Sequence, residues 1–154
     1  MKKVLFISSM GGHLSELMKL EPLFENYEYT IITEKGETTE YLQDRFNGRV
    51  YYVPYSTRSK ISNYVFKYLF VIFKSFFLFI KIKPDVIVST GTHTAVPICY
   101  IGKLFGKKII YIETYANITK KTLTGKILYP ISNLFIVHWK CMKKLYPNAV
   151  SLEK

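Results

Sequence analysis

Two short loops place histidine where it can do acid–base chemistry. One loop covers residues 8–13 and reads SSMGGH, and the other covers residues 89–94 and reads STGTHT. The chain contains 3 histidines, and two of them, His13 and His93, fall in these loops. Glycine lets a backbone approach a ligand closely, and a histidine beside it can take a proton from a hydroxyl or donate to a phosphate oxygen. The two loops therefore predict a binding or catalytic site, with His13 as the candidate general base.

A third loop carries polar residues that fit the same prediction. Glu113 and Asn117 follow a later apolar run, where a carboxylate and an amide can hold the hydroxyls of a sugar. A simpler structural interpretation stays open for two of the loops. In the first, Gly11 and Gly12 only make a tight turn and His13 caps the helix, and in the third, Glu113 is a solvated acid. The remaining histidine, His138, is expected to pack or to cap, and it is left out of the site.

Short apolar runs alternate with helix-length segments along the chain. The apolar runs predict six strands, at residues 4–8, 29–33, 50–54, 86–89, 108–112 and 134–137. The segments between and after them predict helices at residues 14–24, 37–46, 61–82, 95–105, 123–131 and 140–145. Uniformly apolar strands are typical of a parallel sheet that helices cover on both faces. We therefore predict an α/β fold, a doubly wound Rossmann-like parallel sheet, formed by one domain of residues 1–154.

The strand order of such a sheet decides which loops meet. In the common order 3-2-1-4-5-6, ligands bind beyond the carboxyl ends of the strands at the point where the order reverses, between strands one and four. The loops at residues 8–13 and 89–94 follow these two strands. We therefore expect both loops to frame one site.

Composition and charge narrow the classes of function. Hydrophobic residues make up 49% of the chain, which excludes a disordered protein. The 22 Lys and Arg against 11 Asp and Glu give a net charge of +11, which favours an anionic partner such as a lipid surface or a phosphorylated substrate. Nucleic acid is not expected as a partner, because the aromatic residues cluster in an apolar helix and not on a stacking platform. The 2 cysteines lack metal-ligand spacing and are expected to be reduced thiols of a cytoplasmic protein.

The predicted helix at residues 61–82 has a wider apolar surface than a core helix needs. Lysine recurs in and just before it at every seventh position, a step that drifts only about 20° around a helix. The resulting stripe consists of Lys60, Lys67, Lys74 and Lys81. A helix in the membrane interface would bury Phe70 and Phe77 while Lys67, Lys74 and Lys81 reach the headgroups. A core helix with a wet lysine stripe is the alternative, and the two are compatible if different flanks face the sheet and the lipid.

Several segments, in this order, resemble one known protein family. They are the turn GGH at residues 11–13 with Glu16 three residues on, PDVIVSTG at 84–91, YIETYAN at 111–117, and Trp139 with the later YPNA. They resemble the membrane-associated subunit of split UDP-sugar glycosyltransferases, which act in dolichol-linked oligosaccharide assembly and in bacterial capsule and exopolysaccharide synthesis. More distantly, they are similar to the N-terminal domain of MurG. His138 stands where bacterial relatives often have glutamine, so the resemblance assigns it no role.

The resemblance implies the N-terminal half of a GT-B-type glycosyltransferase, peripheral or monotopic at the cytoplasmic face of the membrane. A donor-binding partner subunit would hold most of the UDP-sugar, without a further cofactor or metal, and this chain would be inactive alone. This chain would bind a polyprenyl-diphosphate-linked acceptor and recruit the partner to the membrane, with His13 as base. The residues implied to frame the acceptor are Gly11, Gly12, Gly91, Thr92, His93, Glu113 and Asn117.

Two other functions remain open at the level of sequence. Glu34 lies about 20 residues beyond the glycine turn, where a dinucleotide-binding module places its ribose-binding acid. The turn lacks the full G-x-G-x-x-G pattern, however. The second alternative is a non-catalytic scaffold that only recruits a transferase to the membrane.

Overall fold

The computed structural model describes residues 1–55 and 61–153, with side chains from residue 65 onward in the helix that begins at Ile61. Within these residues, seven parallel strands form one sheet in the order β3-β2-β1-β4-β5-β6-β7. This confirms the predicted parallel sheet, with the reversal of strand order between β1 and β4. The strands are β1 (Lys3–Ile7), β2 (Glu28–Glu34), β3 (Val50–Val53), β4 (Val86–Ser89), β5 (Lys108–Ile112), β6 (Leu134–Val137) and β7 (Val150–Ser151).

Among the described residues, five α-helices connect the strands, and several are shorter than predicted. They are α1 (Gly12–Met18), α2 (Leu42–Arg45), α3 (Ile61–Ile82), α4 (Val96–Leu104) and α5 (Leu123–Leu128). The helix predicted at 14–24 is interrupted: α1 ends at Met18, and a 3-10 helix, Glu21–Asn26, begins with Pro22 near its start. Proline has no N–H to continue an α-helix, which explains the break.

The helix predicted at 37–46 is mostly a series of turns. The hydroxyl of Thr39 donates to the carbonyl of Glu34 and accepts from the N–H of Gly36. A threonine that bonds to nearby backbone competes with helix formation, so that only α2 remains at the end of this segment. The segment predicted at 140–145 is a 3-10 helix, Lys140–Lys144, and β7 was not predicted because two residues show no periodicity.

Two apolar clusters lie on opposite faces of the sheet. On the first, which we call the α3 face, side chains of α3, α4 and α5 pack against residues such as Leu5, Ile87 and Phe135. On the second, the α1 face, α1, the 3-10 helix after it and α2 pack against residues such as Phe6 and Ile31. This segregation follows from the topology, because every apolar connection after β3 packs on the α3 face.

The α1 face is not covered over β5 and β6, which differs from the expectation that helices cover both faces. Ile110, Leu134 and Ile136 are half-buried there, whereas their neighbours on the α3 face are buried. Together with Leu23 and Tyr27 at the edge, they line an open apolar groove, which we call the sheet groove. The groove exists because the chain supplies no helix to this half of the α1 face in the part that the structure describes.

Helix α3 has one buried flank and one exposed apolar flank, as a helix that packs on the sheet with a second flank free for lipid would have. Its membrane binding stays a prediction. Val71, Ser75, Leu78 and Phe79 are buried against the sheet. The exposed flank, which we call the α3 apolar surface, consists of Val65, Phe66, Leu69, Phe70, Ile72, Phe73, Phe76, Phe77 and Ile80. At 3.6 residues per turn, Lys67, Lys74 and Lys81 fall between the two flanks. Lys60 lies outside the described residues.

The α3 apolar surface is exposed to an extent that a core helix does not show. Phe66 and Phe77 are 74% and 69% exposed. Phe105, after the end of α4, packs its ring 5.2 Å from that of Phe79 and extends the surface together with Leu104. Within residues 1–55 and 61–153, no helix combines the length and the apolarity that crossing a membrane requires.

Candidate functional site

The two histidine loops meet at the carboxyl ends of β1 and β4, as the sequence predicts. The Nδ1 atom of His13 lies 2.7 Å from the carbonyl oxygen of Thr90. The Thr90 hydroxyl in turn donates to the carbonyl oxygen of His13 at 2.8 Å. These reciprocal bonds join the start of α1 to the loop after β4 and fix the imidazole at the point where the strand order reverses.

The bond to Thr90 decides which nitrogen of His13 carries the proton. A carbonyl oxygen only accepts, so Nδ1 of the neutral ring must be the N–H, and the lone pair is then on Nε2. No described residue bonds to Nε2, and the side chain is 28% exposed. His13 is therefore arranged to accept a proton at Nε2 from a group that enters the site.

Gly91 is required by the closeness of the His13 ring. Its φ of 108° lies in the region that favours glycine, and a Cβ there would lie 2.9 Å from Nδ1 of His13. Any larger residue at position 91 would displace the imidazole from the Thr90 carbonyl. Gly91 therefore contributes to the site because it leaves room for the ring of His13.

Glu34 bonds to both histidine loops from the protein interior. This corrects the dinucleotide alternative, in which Glu34 binds a ribose. Its carboxylate is buried and accepts from the Thr94 hydroxyl at 2.7 Å and from the N–H of Met10 at 3.4 Å. An acid that binds a ribose has to face the ligand. The structure therefore does not support the ribose-binding role of Glu34.

Glu113 turns its carboxylate into the protein. The side chain is 1% exposed, and it accepts from the hydroxyls of Thr122 and Tyr146 at 2.9 Å and from the N–H of Thr114 at 3.0 Å. Burial, and then the charge of Glu113, raise the pKa of the Tyr146 hydroxyl, which stays a donor. Burial is also the main cause of the raised pKa of Tyr111. Glu113 thus holds the loop after β5 in shape, and its contact with an acceptor hydroxyl stays a prediction.

The other residues predicted for the acceptor lie along the same edge of the sheet. Gly11 and Gly12 are exposed at the start of α1, and Thr92 is half-buried, with an Oγ1 atom that no described residue bonds. The carbonyl of His93 accepts from the Tyr68 hydroxyl of α3 at 3.3 Å. Asn117 closes the loop after β5, where its N–H donates to the carbonyl of Thr114.

Sequence reasoning assigned no site role to Glu16, which connects two of these loops. Its Oε1 atom accepts from the Thr114 hydroxyl at 3.0 Å and from the N–H of Tyr115 at 2.9 Å. The indole N–H of Trp139 then donates to the carbonyl of Tyr115, so the loop after β6 joins the same network. A signal was available, because residues three apart on a helix lie on one face, and Glu16 follows His13 by three.

His138 packs against the loop after β5, in line with the expectation that it packs or caps. Its ring lies edge-on to Tyr115, with centroids 5.6 Å apart, and its Nε2 atom is buried without a described hydrogen-bond partner. Burial lowers the pKa of His138. The charge of Glu16 raises this pKa and the charge of Lys19 lowers it, each by less than burial does. In the described ranges 1–55 and 61–153, no group of three or more His, Cys, Asp or Glu side chains is arranged to hold a metal ion.

Sequence comparisons connect this chain with one family. A family model described as oligosaccharide biosynthesis protein Alg14 like matches residues 4–152. The UDP-N-acetylglucosamine transferase subunit ALG14 of Mus musculus is 30% identical over 180 residues, covering 97% of this chain and 81% of the mouse protein. The same subunit of Candida albicans is 32% identical over 160 residues, covering 90% of this chain and 71% of its relative.

Comparison with solved structures shows the fold. The crystal structure of Acinetobacter baumannii MurG superposes with a TM-score of 0.74 at 16% identity. The match covers 92% of this chain and 43% of the MurG chain. At this identity the likeness concerns architecture alone, and it confirms a Rossmann-like α/β sheet of the kind predicted.

Proposed function

We propose that this chain, which belongs to the Alg14-like family of oligosaccharide biosynthesis proteins, is the acceptor-side subunit of a two-component UDP-sugar glycosyltransferase. The curated relatives are named as subunits of a UDP-N-acetylglucosamine transferase, which makes UDP-N-acetylglucosamine the first donor to test. The observation that carries the proposal is the meeting of the loops of His13 and His93 at the reversal of strand order. That position is where open α/β sheets bind their ligands.

The proposed role of His13 is that of general base on the acceptor. An acceptor hydroxyl that reaches Nε2 would lose its proton there and attack the anomeric carbon of the donor sugar, with UDP as leaving group. In the neutral ring the carbonyl of Thr90 holds the proton on Nδ1, which leaves the lone pair on Nε2. A donor-binding partner would supply most of the contacts to UDP, without a further cofactor.

The position of α3 relative to the site favours an acceptor that is linked to a lipid. Because α3 connects the end of β3 to the start of parallel β4, it runs back across the sheet and its first turns lie near the site. The bond from Tyr68 to the carbonyl of His93 shows this contact directly. A lipid in contact with the α3 apolar surface would thus have its polar end beside the loop of His93. The acceptor class that fits is a polyprenyl diphosphate carrying a sugar.

The proposed location is the cytoplasmic face of a membrane, with α3 in the interface. A helix of 22 residues is about 33 Å long, and its exposed phenylalanines suit the boundary of headgroups and acyl chains. Lys67 and Lys81 are exposed beside them and would meet anionic headgroups, as the net charge of +11 favours.

Charge reversal on α3 is expected to weaken membrane binding. In the double variant Lys67→Glu, Lys74→Glu, the loss of two lysines costs about 2 kcal/mol, or roughly a thirtyfold fall in partitioning, and the new acids add repulsion. Sedimentation with phosphatidylcholine vesicles, with and without phosphatidylserine, measures this. The matched control is Lys143→Glu, Lys144→Glu, with the same change of charge on the 3-10 helix before β7. Equal binding by both double variants would contradict the proposal.

The sheet groove is the observation that favours a partner protein. Half-buried apolar side chains on a parallel sheet are normally covered by a helix, and this chain supplies none among its described residues. The α3 apolar surface lies on the opposite face of the sheet, so lipid and a partner segment in the groove would not compete. We propose that an apolar segment of the donor-binding subunit packs in the groove.

A transfer assay tests the proposal. The chain is assayed alone and co-expressed with a candidate donor-binding subunit encoded beside it, with UDP-N-acetylglucosamine and other UDP-sugars and a synthetic polyprenyl-diphosphate-linked sugar. Transfer is expected only for the pair, and Leu23→Glu, at the rim of the sheet groove, is expected to reduce co-purification of the partner. Transfer by the chain alone would contradict the proposal of two components. If the Leu23→Glu variant co-purified with the partner as well as the unchanged chain does, the sheet groove would be excluded as the binding site of the partner. Assays with capsule and exopolysaccharide precursors as acceptors then test the finer proposal of a capsular or exopolysaccharide pathway.

A further inference from the structure

The two oxygens of the Glu16 carboxylate lie in different environments. Oε1 accepts two hydrogen bonds from the loop after β5, from the hydroxyl of Thr114 and the N–H of Tyr115. These bonds fix the side chain on the face of α1 that carries His13. The orientation of the second oxygen is therefore determined by contacts that do not involve the candidate base.

The second oxygen, Oε2, faces His13 without a hydrogen bond. It is buried, no described residue bonds to it, and it lies 3.9 Å from Nδ1 of His13. The Glu16 side chain is 13% exposed, so water compensates its charge only in part. A buried carboxylate oxygen without a donor is costly, and a positive charge nearby reduces that cost. The ring of His13 becomes such a charge when it takes up a proton.

We propose that Glu16 is a positioning residue for His13, whose carboxylate stabilises the imidazolium that forms when His13 takes the acceptor proton. This inference rests on the proposed function, in which His13 is the base. In the transfer step the hydroxyl proton moves to Nε2, the hydroxyl oxygen bonds to the anomeric carbon, and the bond from that carbon to UDP breaks with its electron pair. The imidazolium returns its proton to solvent after the product leaves.

The duties that one acid performs in a serine-protease triad are divided here between two groups. The carbonyl of Thr90 fixes the tautomer of His13, because it bonds Nδ1 at 2.7 Å. The carboxylate of Glu16 supplies the charge, because it lies beyond hydrogen-bond distance but within the range of an ion pair. The loss of the Glu16 charge should therefore leave the tautomer of His13 unchanged but slow the turnover.

Two other titratable groups lie near this carboxylate. Burial lowers the pKa of His138 below its usual value of 6.5, so that His138 is neutral at pH 7 and does not compete as a cation for Glu16. Lys19, one turn further along, places its ammonium over the ring of Tyr115, 5.9 Å from the centroid. His13 is thus the group that carries a new positive charge toward Glu16 during turnover.

The test is Glu16→Gln in the assembled transferase. The amide oxygen can still accept from Thr114 and Tyr115, while the charge beside His13 is lost. We expect kcat to fall about tenfold or more, with KM for the acceptor changed less than about twofold. Thr114→Val removes one bond to Oε1 and keeps the charge, so its kcat should fall less than about threefold. Nitrogen NMR of His13 should show the Nδ1–H tautomer in the unchanged chain and in Glu16→Gln.

The kinetics of these variants distinguish a failure of the role of Glu16 from a failure of the role of His13. Unchanged kcat in Glu16→Gln, with His13→Gln inactive, would overturn the role of Glu16 and leave the proposed base intact. A rise in KM without a fall in kcat would make Glu16 an acceptor-binding residue and also overturn the inference. An equal fall in kcat in Thr114→Val would show that Glu16 acts through the loop alone. Full activity of His13→Gln would instead refute the base in the proposed function.

Discussion

Replacing His13 with glutamine is expected to reduce sugar transfer by the assembled enzyme by roughly 10²–10⁴-fold, the range that a positioned general base contributes. Glutamine can donate from its amide to the Thr90 carbonyl in place of Nδ1, so the contact between the two loops is kept. It offers no basic nitrogen to the acceptor hydroxyl. The measurement is kcat with saturating UDP-sugar and lipid-linked acceptor, in the presence of the donor-binding subunit.

The same variant separates catalysis from recruitment. Co-purification with the partner and sedimentation with vesicles are expected to match those of the unchanged chain, because His13 lies on neither the α3 apolar surface nor the sheet groove. If His13→Gln transferred sugar at the full rate, the chain would be a non-catalytic scaffold, the alternative that the sequence left open. Loss of folding would be visible as a lowered unfolding midpoint in urea.

The second large effect concerns stability, at Gly125. A Cβ there would lie 2.5 Å from the Tyr146 hydroxyl and 2.8 Å from the Thr122 hydroxyl, and it would clash with the carboxylate of Glu113. The hydroxyls of Tyr146 and Thr122 both donate to the buried carboxylate of Glu113, so a shift of any of these groups would break a hydrogen bond to that carboxylate. Gly125→Ala is therefore expected to lower the free energy of unfolding by about 2–4 kcal/mol.

Urea unfolding followed by circular dichroism measures this difference. Gly12→Ala is the matched control, since a Cβ at Gly12 would meet no atom within 4 Å and alanine is the better helix former. Its free energy of unfolding should be unchanged or slightly higher. If both variants unfolded at the same urea concentration, the buried network around Glu113 would not be the constraint that its contacts indicate.

Much of the fold follows from local patterns. The strands that were predicted with their observed bounds, such as β4 and β5, are short, largely apolar runs that are visible in the sequence alone. Helix α3 was predicted with its observed bounds because its length and its lysine spacing are visible without knowledge of any partner. Elements that depend on long-range contacts were missed, as β7 shows by pairing with β6 through only two residues.

The surroundings of Glu113 and Glu34 show the limit of sequence reasoning about the site. The sequence left open that Glu113 is a solvated acid, but the structure buries it, and Tyr146, 33 residues away, donates to its carboxylate. Its contact with a sugar hydroxyl stays a prediction. Glu34 was considered as a ribose ligand, but Thr94, 60 residues away, occupies its carboxylate. Side-chain direction depends on partners that the topology brings together, and spacing along the chain contains no information about them.

The sequence by itself determined the parallel sheet, the identity of the two histidine loops and the lysine-striped apolar helix, because each depends on residues close together in the chain. The tertiary structure alone decided which nitrogen of His13 is free and which oxygen of Glu16 is left without a donor, because these depend on the carbonyl of Thr90 and the loop after β5. It also decided that β5 and β6 keep one face open. The physical reason is that the strand order places every apolar connection after β3 on the α3 face. The described chain has no further helix to cover the α1 face over β5 and β6.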